Sequence, residues 1–267
     1  DVLVLSEPVE PFTGEELDIL YRYVESGRNL LLAGKPKTYS YLDPLMERLG
    51  LRFEPGMLVQ KQIDEYPVNI LLCQATESAR QLSQRWEMFY QSTSVRKGRS
   101  PSLIMPGALA IEQVADKGFR VIPMLESKDS MAWNELETID FVNETPSVNP
   151  QIGERVGRKT TMVGLEREQG GRQQRIIVLG DADCFSMGEL ANSRRGMTAV
   201  NSGLIMSMFE WFSYGELPVN TFRPQAIDNT LKISMETGAT LKVILQWVFP
   251  ALILLLGIFV LIRRRGK

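Results

Sequence analysis

The first 34 residues read DVLVLSEPVEPFTGEELDILYRYVESGRNLLLAG. Residues 2–5 form a short apolar run, the pattern of a strand that is buried on both faces of a sheet. Thr13 and the carboxylates after it are a helix-start signal, and apolar residues then recur at helical spacing up to residue 26. Residues 29–34 form a second apolar run. This order predicts two parallel strands with a helix packed against them.

The alternation of strands and helices continues beyond residue 34. Residues 41–49 carry apolar side chains at helical spacing and are followed by Gly50, which is typical of a helix C-terminus. The pattern further along predicts strands at 68–73, 102–105 and 119–125, a hairpin from 160–166 to 175–179, and a helix at 198–212. We therefore expect an α/β domain over residues 1–235, with a parallel-rich sheet and helices on both faces. The polar composition of residues 127–158 predicts a long irregular insertion.

The C-terminal segment has a different character. Residues 243–262 read VILQWVFPALILLLGIFVLI, which is long enough to cross a hydrocarbon core of about 30 Å. Residues 263–267 (RRRGK) are basic, and basic residues beside a span stay in the cytoplasm. We expect a single lipid-embedded helix in the cell inner membrane, a cytoplasmic tail at 263–267, a juxtamembrane linker at 236–242 and an extracytoplasmic main domain. Because an exported domain needs a leader or an upstream span, we also expect the chain to be part of a longer protein.

The composition argues against several functional classes. The chain has 267 residues, a net charge of −2 and no histidine. Without histidine there can be no Ser-His-Asp or Cys-His catalysis, and most catalytic zinc sites are excluded. A Walker-type phosphate loop and a nucleophile elbow are both missing from the sequence, and no basic stretch indicates nucleic-acid binding. We expect no catalytic residues, no metal and no cofactor. Cys73 and Cys184 fit either one disulfide or two buried free thiols, of which the thiols are the commoner arrangement.

One acidic loop, residues 180–190 (GDADCFSMGEL), directly follows a predicted strand. Loops at the carboxyl ends of strands are where α/β sheets place their ligand sites. Asp181, Asp183 and Glu189 offer oxygen ligands of the kind that a hard cation such as Mg²⁺ prefers. In the alternative interpretation, the two aspartates cap backbone N–H groups of a tight turn and of the helix that follows.

Glu7 and Lys35 follow the first two predicted strands, so we expect them at the same edge of the sheet as the acidic loop. Lys35 could pair with Glu7 or with an anionic ligand, and a solvated ion pair is the simpler interpretation. The candidate ligand-binding residues are therefore Glu7, Lys35, Asp181, Asp183 and Glu189.

Trp86, Phe89 and Tyr90 are spaced at i, i+3 and i+4. Aromatic residues at this spacing predict either a platform for a carbohydrate or peptide, or the core-facing stripe of a helix. The core-facing stripe is the commoner outcome.

A series of short motifs resembles the GldG-like family of auxiliary components of ABC-type transport systems, which is named from gliding motility. The motifs are EP at 7–8, GMLV at 56–59, MPGA at 105–108, QRIIVLGDAD at 174–183, GEL at 188–190, Asn201 and RP at 223–224. The proline, glycine and triple arginine of residues 250–265 also resemble that family's closing membrane helix. Each motif is short, so the specificity comes from their order along nearly the whole chain.

The resemblance implies an extracytoplasmic domain with a fold related to class I glutamine amidotransferases, or flavodoxin-like, without the catalytic residues of the former. It also implies an ABC-2-type permease and a separate ATPase subunit as partners, and leaves the transported substrate unknown. Our first hypothesis is a non-enzymatic, membrane-anchored auxiliary or substrate-recognition component of an ABC-type transporter. The alternatives are a metal-dependent hydrolase that uses the acidic loop 181–189, and a structural scaffold in motility or envelope assembly.

Overall fold

The structure is a computed structural model that describes residues 1–61, 66–83, 85–87, 101–138, 140–191, 198–218 and 235–266. Phe89, Tyr90, Lys267 and the RP motif at 223–224 lie outside these ranges. The chain divides into two compact units, Asp1–Val219 and Asn220–Lys267.

The first unit alternates strands and helices along the chain. Its strands are β1 (Val2–Ser6), β2 (Asn29–Ala33), β3 (Leu51–Phe53), β4 (Met57–Val59), β5 (Ile70–Ala75), β6 (Pro101–Pro106), β7 (Ile111–Gln113), β8 (Arg120–Ser127), β9 (Trp133–Glu135), β10 (Thr160–Gln169), β11 (Arg172–Leu179) and β12 (Thr198–Ala199). The α-helices whose full bounds lie within the described residues are α1 (Gly14–Glu25), α2 (Asp43–Leu49), α3 (Glu77–Arg80), α4 (Met187–Leu190) and α5 (Asn201–Phe212).

Eight strands form one sheet in the order β1-β2-β11-β10-β8-β5-β6-β12. The pairs β1–β2, β2–β11 and β6–β12 are parallel, whereas β11–β10, β10–β8, β8–β5 and β5–β6 are antiparallel. The fold class is therefore α/β as expected, but the sheet is mixed, and the prediction of a parallel-rich sheet is wrong for its central part. Two strands run against the others: β10, which turns back from β11 in a hairpin between β2 and β8, and β5, which is antiparallel to both β8 and β6.

Each face of this sheet carries its own hydrophobic core. Leu32 and Val178 point to the core that α1 and α2 cover, whereas Ala33 and Leu179 point to the core that α5 covers. Neighbouring residues alternate between the two cores because successive side chains of a strand point to opposite faces. Helices therefore pack on both faces, and strands at the sheet centre are apolar at nearly every position.

The local elements predicted for the N-terminal region are present, but the expectation that β1 is buried on both faces is wrong, because β1 is an edge strand whose Val2 and Val4 are 36% and 56% exposed. Thr13 caps α1 in a reciprocal capping box, in which its hydroxyl accepts from the Glu16 N–H and the Glu16 carboxylate accepts from the Thr13 N–H at 2.8 Å. Gly50 ends α2 in the left-handed conformation at φ 74°, where glycine carries no penalty from a Cβ. A 3₁₀ turn, Tyr39–Leu42, leads into α2.

The segment 127–158, predicted as an irregular insertion, carries the short strand β9 and a 3₁₀ turn, Pro150–Ile152. β9 pairs antiparallel with β4, and the Asn134 amide donates to the Pro55 carbonyl at 3.1 Å. The Glu154 carboxylate accepts from the N–H groups of Leu136 and Asn149. The contacts of β9 and Asn134 attach the segment to β4 and Pro55, whereas the bonds of Glu154 close the segment on itself.

The second unit contains an unbroken helix, made of α6 (Met235–Val243), a π-helical stretch Ile244–Val248 and α7 (Phe249–Arg265). The predicted linker at 236–242 is thus helical. Pro250 lies two residues after the π-helical stretch, and a proline without an N–H interrupts the regular backbone ladder there. Within the described residues, Thr237–Arg265 is the helix that is long and apolar enough to cross a membrane, and an 18-residue stretch of it has a mean hydropathy of 2.6.

Candidate functional site

The carboxyl ends of β1, β2 and β11 meet at one edge of the sheet because these strands run parallel. Lys35 Nζ lies 3.1 Å from Glu7 Oε1 and 3.2 Å from Asp183 Oδ2. We call Glu7, Lys35 and Asp183 the strand-end trio. The structure thus brings together three of the five candidate residues, across 28 and 148 positions of sequence.

The strand-end trio is partly open to solvent. The side chains of Glu7, Lys35 and Asp183 are 33%, 35% and 43% exposed. Burial by itself lowers the pKa of Lys35, but the hydrogen bonds and charges of Glu7 and Asp183 outweigh it and leave the pKa raised. The ammonium already contacts two carboxylates, so the trio has a net charge of −1 and favours its own internal pairing over an anionic ligand.

Asp181 lies beneath the trio and is only 1% exposed. Its Oδ1 accepts from the Asp183 N–H at 2.9 Å, which is the turn-capping role expected in the simpler interpretation. Its Oδ2 is buried and has no hydrogen-bond partner among the described residues. Burial raises the pKa of Asp181 well above its ordinary value, and the negative charges of Asp183 and Glu189 add to this effect. This environment favours a neutral carboxyl over a cation ligand.

Glu189 lies in α4, which Ser186 caps by accepting from the Glu189 N–H at 3.1 Å. The Glu189 residue is 5% exposed. In the described part of the chain, Asp181, Asp183 and Glu189 do not come together as a group of three ligands that could hold a metal ion. The geometry therefore offers no support for the metal-dependent hydrolase.

Both cysteines are buried and free, so the disulfide alternative is wrong. The Cys184 thiol donates to the Asp181 carbonyl at 3.2 Å, and the Cys73 sulfur lies 3.6 Å from the Thr161 hydroxyl. Burial raises the pKa of Cys73 to about 12 and raises that of Cys184 as well. Since the thiolate is the nucleophile, these thiols are unreactive at neutral pH.

Asn201 fixes the acidic loop from below. Its amide nitrogen donates to the carbonyls of Ile104 and Cys184 at 2.7 and 2.9 Å, and its oxygen accepts from the Ile104 N–H at 3.0 Å. A Cβ at Gly180 would lie 2.1 Å from the Leu109 carbonyl oxygen, so this position requires glycine. The loop is therefore held from β6, from α5 and from the segment at Leu109.

A second charged region, which was not predicted from the sequence, surrounds a cavity of about 630 Å³ beside β3. We call it the β3-side cavity; its apolar floor includes Met46, Leu51 and Phe53, and its charged wall includes Arg52, Glu54, Glu112 and Arg155. Behind this wall, Lys159 Nζ lies 2.6 Å from Glu54 Oε2, with both side chains only 9% exposed. The partners are 105 residues apart, so no local signal in the sequence could have revealed the pair.

The two carboxyls of this wall, Glu54 and Glu112, shift each other's pKa in opposite directions. Burial, followed by the hydrogen bond with Glu112, raises the pKa of Glu54, although Lys159 opposes the change. Hydrogen bonds from Glu54 and Arg52 lower the pKa of Glu112. Each carboxyl of the pair has its own cation: Arg52 contacts Glu112 at 2.5 Å, and Lys159 contacts Glu54 at 2.6 Å.

Of the aromatic residues 86, 89 and 90, the structure describes Trp86 alone. Trp86 is 1% exposed and lies in the core on the α5 side of the sheet. This position is that of a core residue, because the ring face is not open to a ligand.

Comparison with known proteins gives a family and a fold relative. A family model described as "ABC-type uncharacterized transport system" matches residues 1–202. No curated protein matches. Among solved structures, the chain is similar to one titled "mmIFT52 N-terminal domain", with a TM-score of 0.53 and 17% sequence identity over 81% of this chain and 78% of that chain.

These findings differ in what they establish. At 17% identity, the structural likeness concerns the fold alone, and the glutamine amidotransferase-like or flavodoxin-like assignment is not confirmed. The family model, in contrast, covers about three-quarters of the chain, including the acidic loop at residues 180–190. The chain belongs to the ABC-type uncharacterized transport system family, as an auxiliary component of such a system.

Proposed function

We propose that this chain is a non-enzymatic, membrane-anchored auxiliary component of an ABC-type transporter, working with an ABC-2-type permease and a separate ATPase subunit. One observation carries the proposal: a match to a transport-system family over residues 1–202 occurs in the same chain as an apolar helix, Thr237–Arg265. The order of the short motifs further supports a GldG-like member of this family.

The proposal places the α/β domain outside the cytoplasm and the C-terminus inside, with the helix in the inner membrane. Arg263, Arg264 and Arg265 lie at one end of the helix, and cytoplasmic ends of spans are enriched in arginine and lysine. Trp247 lies near the other end of the apolar stretch 243–262, where an indole suits the boundary between lipid and water.

The non-enzymatic part of the proposal rests on how the reactive groups are occupied. Asp181 is buried and caps a turn, Asp183 pairs with Lys35, and the buried thiols have raised pKa values. The chain contains no histidine that could act as a general base.

A recognition role is supported by the β3-side cavity. Its volume of about 630 Å³ falls within the range of roughly 300–1,000 Å³ that is usual for small-molecule sites. It combines an apolar floor of Leu51 and Phe53 with a few charged groups, of which Arg52 and Arg155 both contact Glu112. Such a combination can hold a ligand by apolar contact and orient it by hydrogen bonds.

Co-isolation tests the partnership. The tagged full-length chain is purified in several mild detergents, beside an equally expressed, unrelated single-span membrane protein as the control. We expect a permease and an ATPase to co-purify with this chain and not with the control. Isolation of the chain alone in every detergent would contradict the proposal, and co-isolation with envelope proteins but no ATPase would favour the scaffold.

Cysteine labelling tests the orientation, and the two native cysteines do not interfere because both are buried. Ser147→Cys lies on an exposed part of the first unit, and Gly266→Cys lies beyond the basic end of the helix. An impermeant maleimide added to intact cells should label the first variant and leave the second unlabelled. The reverse pattern would overturn the orientation.

A further inference from the structure

A small basic cavity lies at the edge of the sheet opposite the strand-end trio. It forms where α1 and α2 end, because α1 returns antiparallel to the strands that it connects. Its volume is about 210 Å³, and the residues that matter on its wall are Tyr21, Glu25, Arg48, Lys117, Phe119 and Arg167. We call it the basic cavity.

The wall of the basic cavity has an excess of positive charge. Arg48, Lys117 and Arg167 face a single carboxylate among the described lining residues, that of Glu25. Glu25 Oε1 lies 3.1 Å from Arg48 Nη1, so this carboxylate is already engaged. Two positive charges remain without a counter-charge on the wall.

Aromatic rings hold both guanidinium groups in place. The Cζ atom of Arg48 lies 4.5 Å from the centroid of the Tyr21 ring, and that of Arg167 lies 4.2 Å from the Phe119 ring. Cation–π stacking of this kind fixes a planar guanidinium while its edge remains able to donate hydrogen bonds. The two forks are therefore positioned before any ligand arrives.

Arg167 is the most constrained of the three cations. Its Nε donates to Gln174 Oε1 at 2.7 Å, and its Nη2 donates to the Val24 carbonyl at 3.2 Å. The N–H groups of Nη1 take part in neither of these two bonds. Burial lowers the pKa of Arg167, although the charge of Glu25 opposes this, so the cation lies in a partly desolvated place. A nearby anion would offset that loss of hydration.

Part of this arrangement has a structural role, because basic side chains compensate the carbonyl ends of helices. Arg167 fulfils that role for α1 through its bond to Val24. Lys117 is not needed to compensate the carbonyl end of α2, because the Gly50 carbonyl already accepts from the N–H groups of Val114 and Ala115 at 2.9 and 3.2 Å. The helix ends therefore do not account for three cations around one cavity.

We propose that the basic cavity binds a phosphate-type oxyanion, held by the guanidinium groups of Arg48 and Arg167 and by the Lys117 ammonium. A fixed guanidinium fork matches two oxygens of a tetrahedral anion, and a lysine adds a point charge. The cavity is smaller than the roughly 300 Å³ at which sites for drug-sized ligands begin, so it accommodates the phosphate group and little more. The site stands whether or not the chain works with a permease.

The experiment titrates inorganic phosphate into the full-length chain in nanodiscs of neutral lipid, with chloride held at constant ionic strength, and follows binding by calorimetry. We expect saturable binding that weakens about tenfold in Lys117→Gln, because one charge-assisted contact is lost. Lys37→Gln, an exposed lysine at the opposite edge of the sheet, is the matched control and should bind phosphate as the unmodified chain does.

A gain of affinity provides the sharper test, because a misfolded variant cannot produce it. Glu25→Gln removes the one acidic group of the wall and should strengthen phosphate binding several-fold. Non-saturable binding, or equal affinities in Lys117→Gln, Glu25→Gln and the unmodified chain, would overturn the site.

The same titration distinguishes a free phosphate from a lipid headgroup. A short-chain phosphatidic acid, used below its micelle-forming concentration, replaces inorganic phosphate as the probe. Tighter binding than that of inorganic phosphate, still weakened by Lys117→Gln, would identify the headgroup as the source. Equal or weaker binding with the same dependence on Lys117 would identify free phosphate.

Discussion

Two lysine–carboxylate groupings in the same domain differ in how far they are removed from water. Lys159 and Glu54 meet at 2.6 Å with side chains that are 9% exposed, whereas Lys35 meets Glu7 and Asp183 at 3.1 and 3.2 Å with side chains that are 33–43% exposed. Water screens the second grouping and compensates for the loss of a partner. The Lys159–Glu54 pair has no such compensation. Loss of one partner should therefore lower the free energy of unfolding far more there than at Lys35.

Breaking the buried pair should give the largest effect. Lys159→Met leaves Glu54 buried without its cation, and we expect the free energy of unfolding to fall by about 3–5 kcal/mol. Denaturant unfolding of the full-length chain in detergent measures the change. The double variant Lys159→Met with Glu54→Leu should recover a large part of the loss, because it leaves no buried charge; a single variant as stable as the original would contradict this account.

Asp181 extends the comparison to a carboxyl that is buried without a cation at contact distance. Its pKa is raised on folding, so the folded state binds the proton more tightly and stability falls as pH rises from the unfolded pKa of about 4 through the raised folded pKa. Asp181→Asn keeps an oxygen for the Asp183 N–H and removes the charge. Above the folded pKa we expect this variant to be more stable than the unmodified chain by about 1–3 kcal/mol.

The measurement is thermal unfolding from pH 4 to pH 8, and the advantage of Asp181→Asn should shrink towards the acid end. Asp183→Asn is the matched control, since that carboxylate is 43% exposed and its replacement should not stabilise the chain. An advantage of Asp181→Asn that grows as the pH falls would show the sign to be wrong.

The exposed trio should respond weakly. Lys35→Met removes an ammonium from between two carboxylates, and we expect a loss of about 0–1 kcal/mol. Because the pKa of Lys35 is raised, its contribution is complete at neutral pH and is lost only as the pH rises above about 10. A loss as large as that of Lys159→Met at neutral pH would abolish the distinction between the two groupings.

Chelation should have the smallest effect. Asp181, Asp183 and Glu189 act as turn and ion-pair residues in the structure, so EDTA should leave the melting temperature of the full-length chain unchanged. A ligand that binds only the folded state stabilises it by mass action, so a metal at this loop would be revealed by a fall in melting temperature. Such a fall would restore the metal-dependent hydrolase as an alternative.

The candidate site shows where prediction from sequence succeeds and where it stops. The proximity of Glu7, Lys35 and Asp183 could be predicted because each follows a strand, and parallel strands place their carboxyl ends together. The roles of Asp181 and Asp183 could not be separated, because the two are chemically identical and only two positions apart. The pairing of Glu54 with Lys159 gave no signal at all, since its partners lie on elements that are joined only by folding.

By itself, the sequence determined the features that arise from neighbours along the chain. The capping box of Thr13 and Glu16, the end of α2 at Gly50 and the apolar span at 243–262 all depend on residues within a few turns of one another. The tertiary structure alone decided that the β10–β11 hairpin inserts beside β2 and makes the sheet mixed. It also decided that Asp181 is buried while Asp183 reaches Lys35, because burial depends on which distant segments, here those of Leu109 and Asn201, pack against the loop.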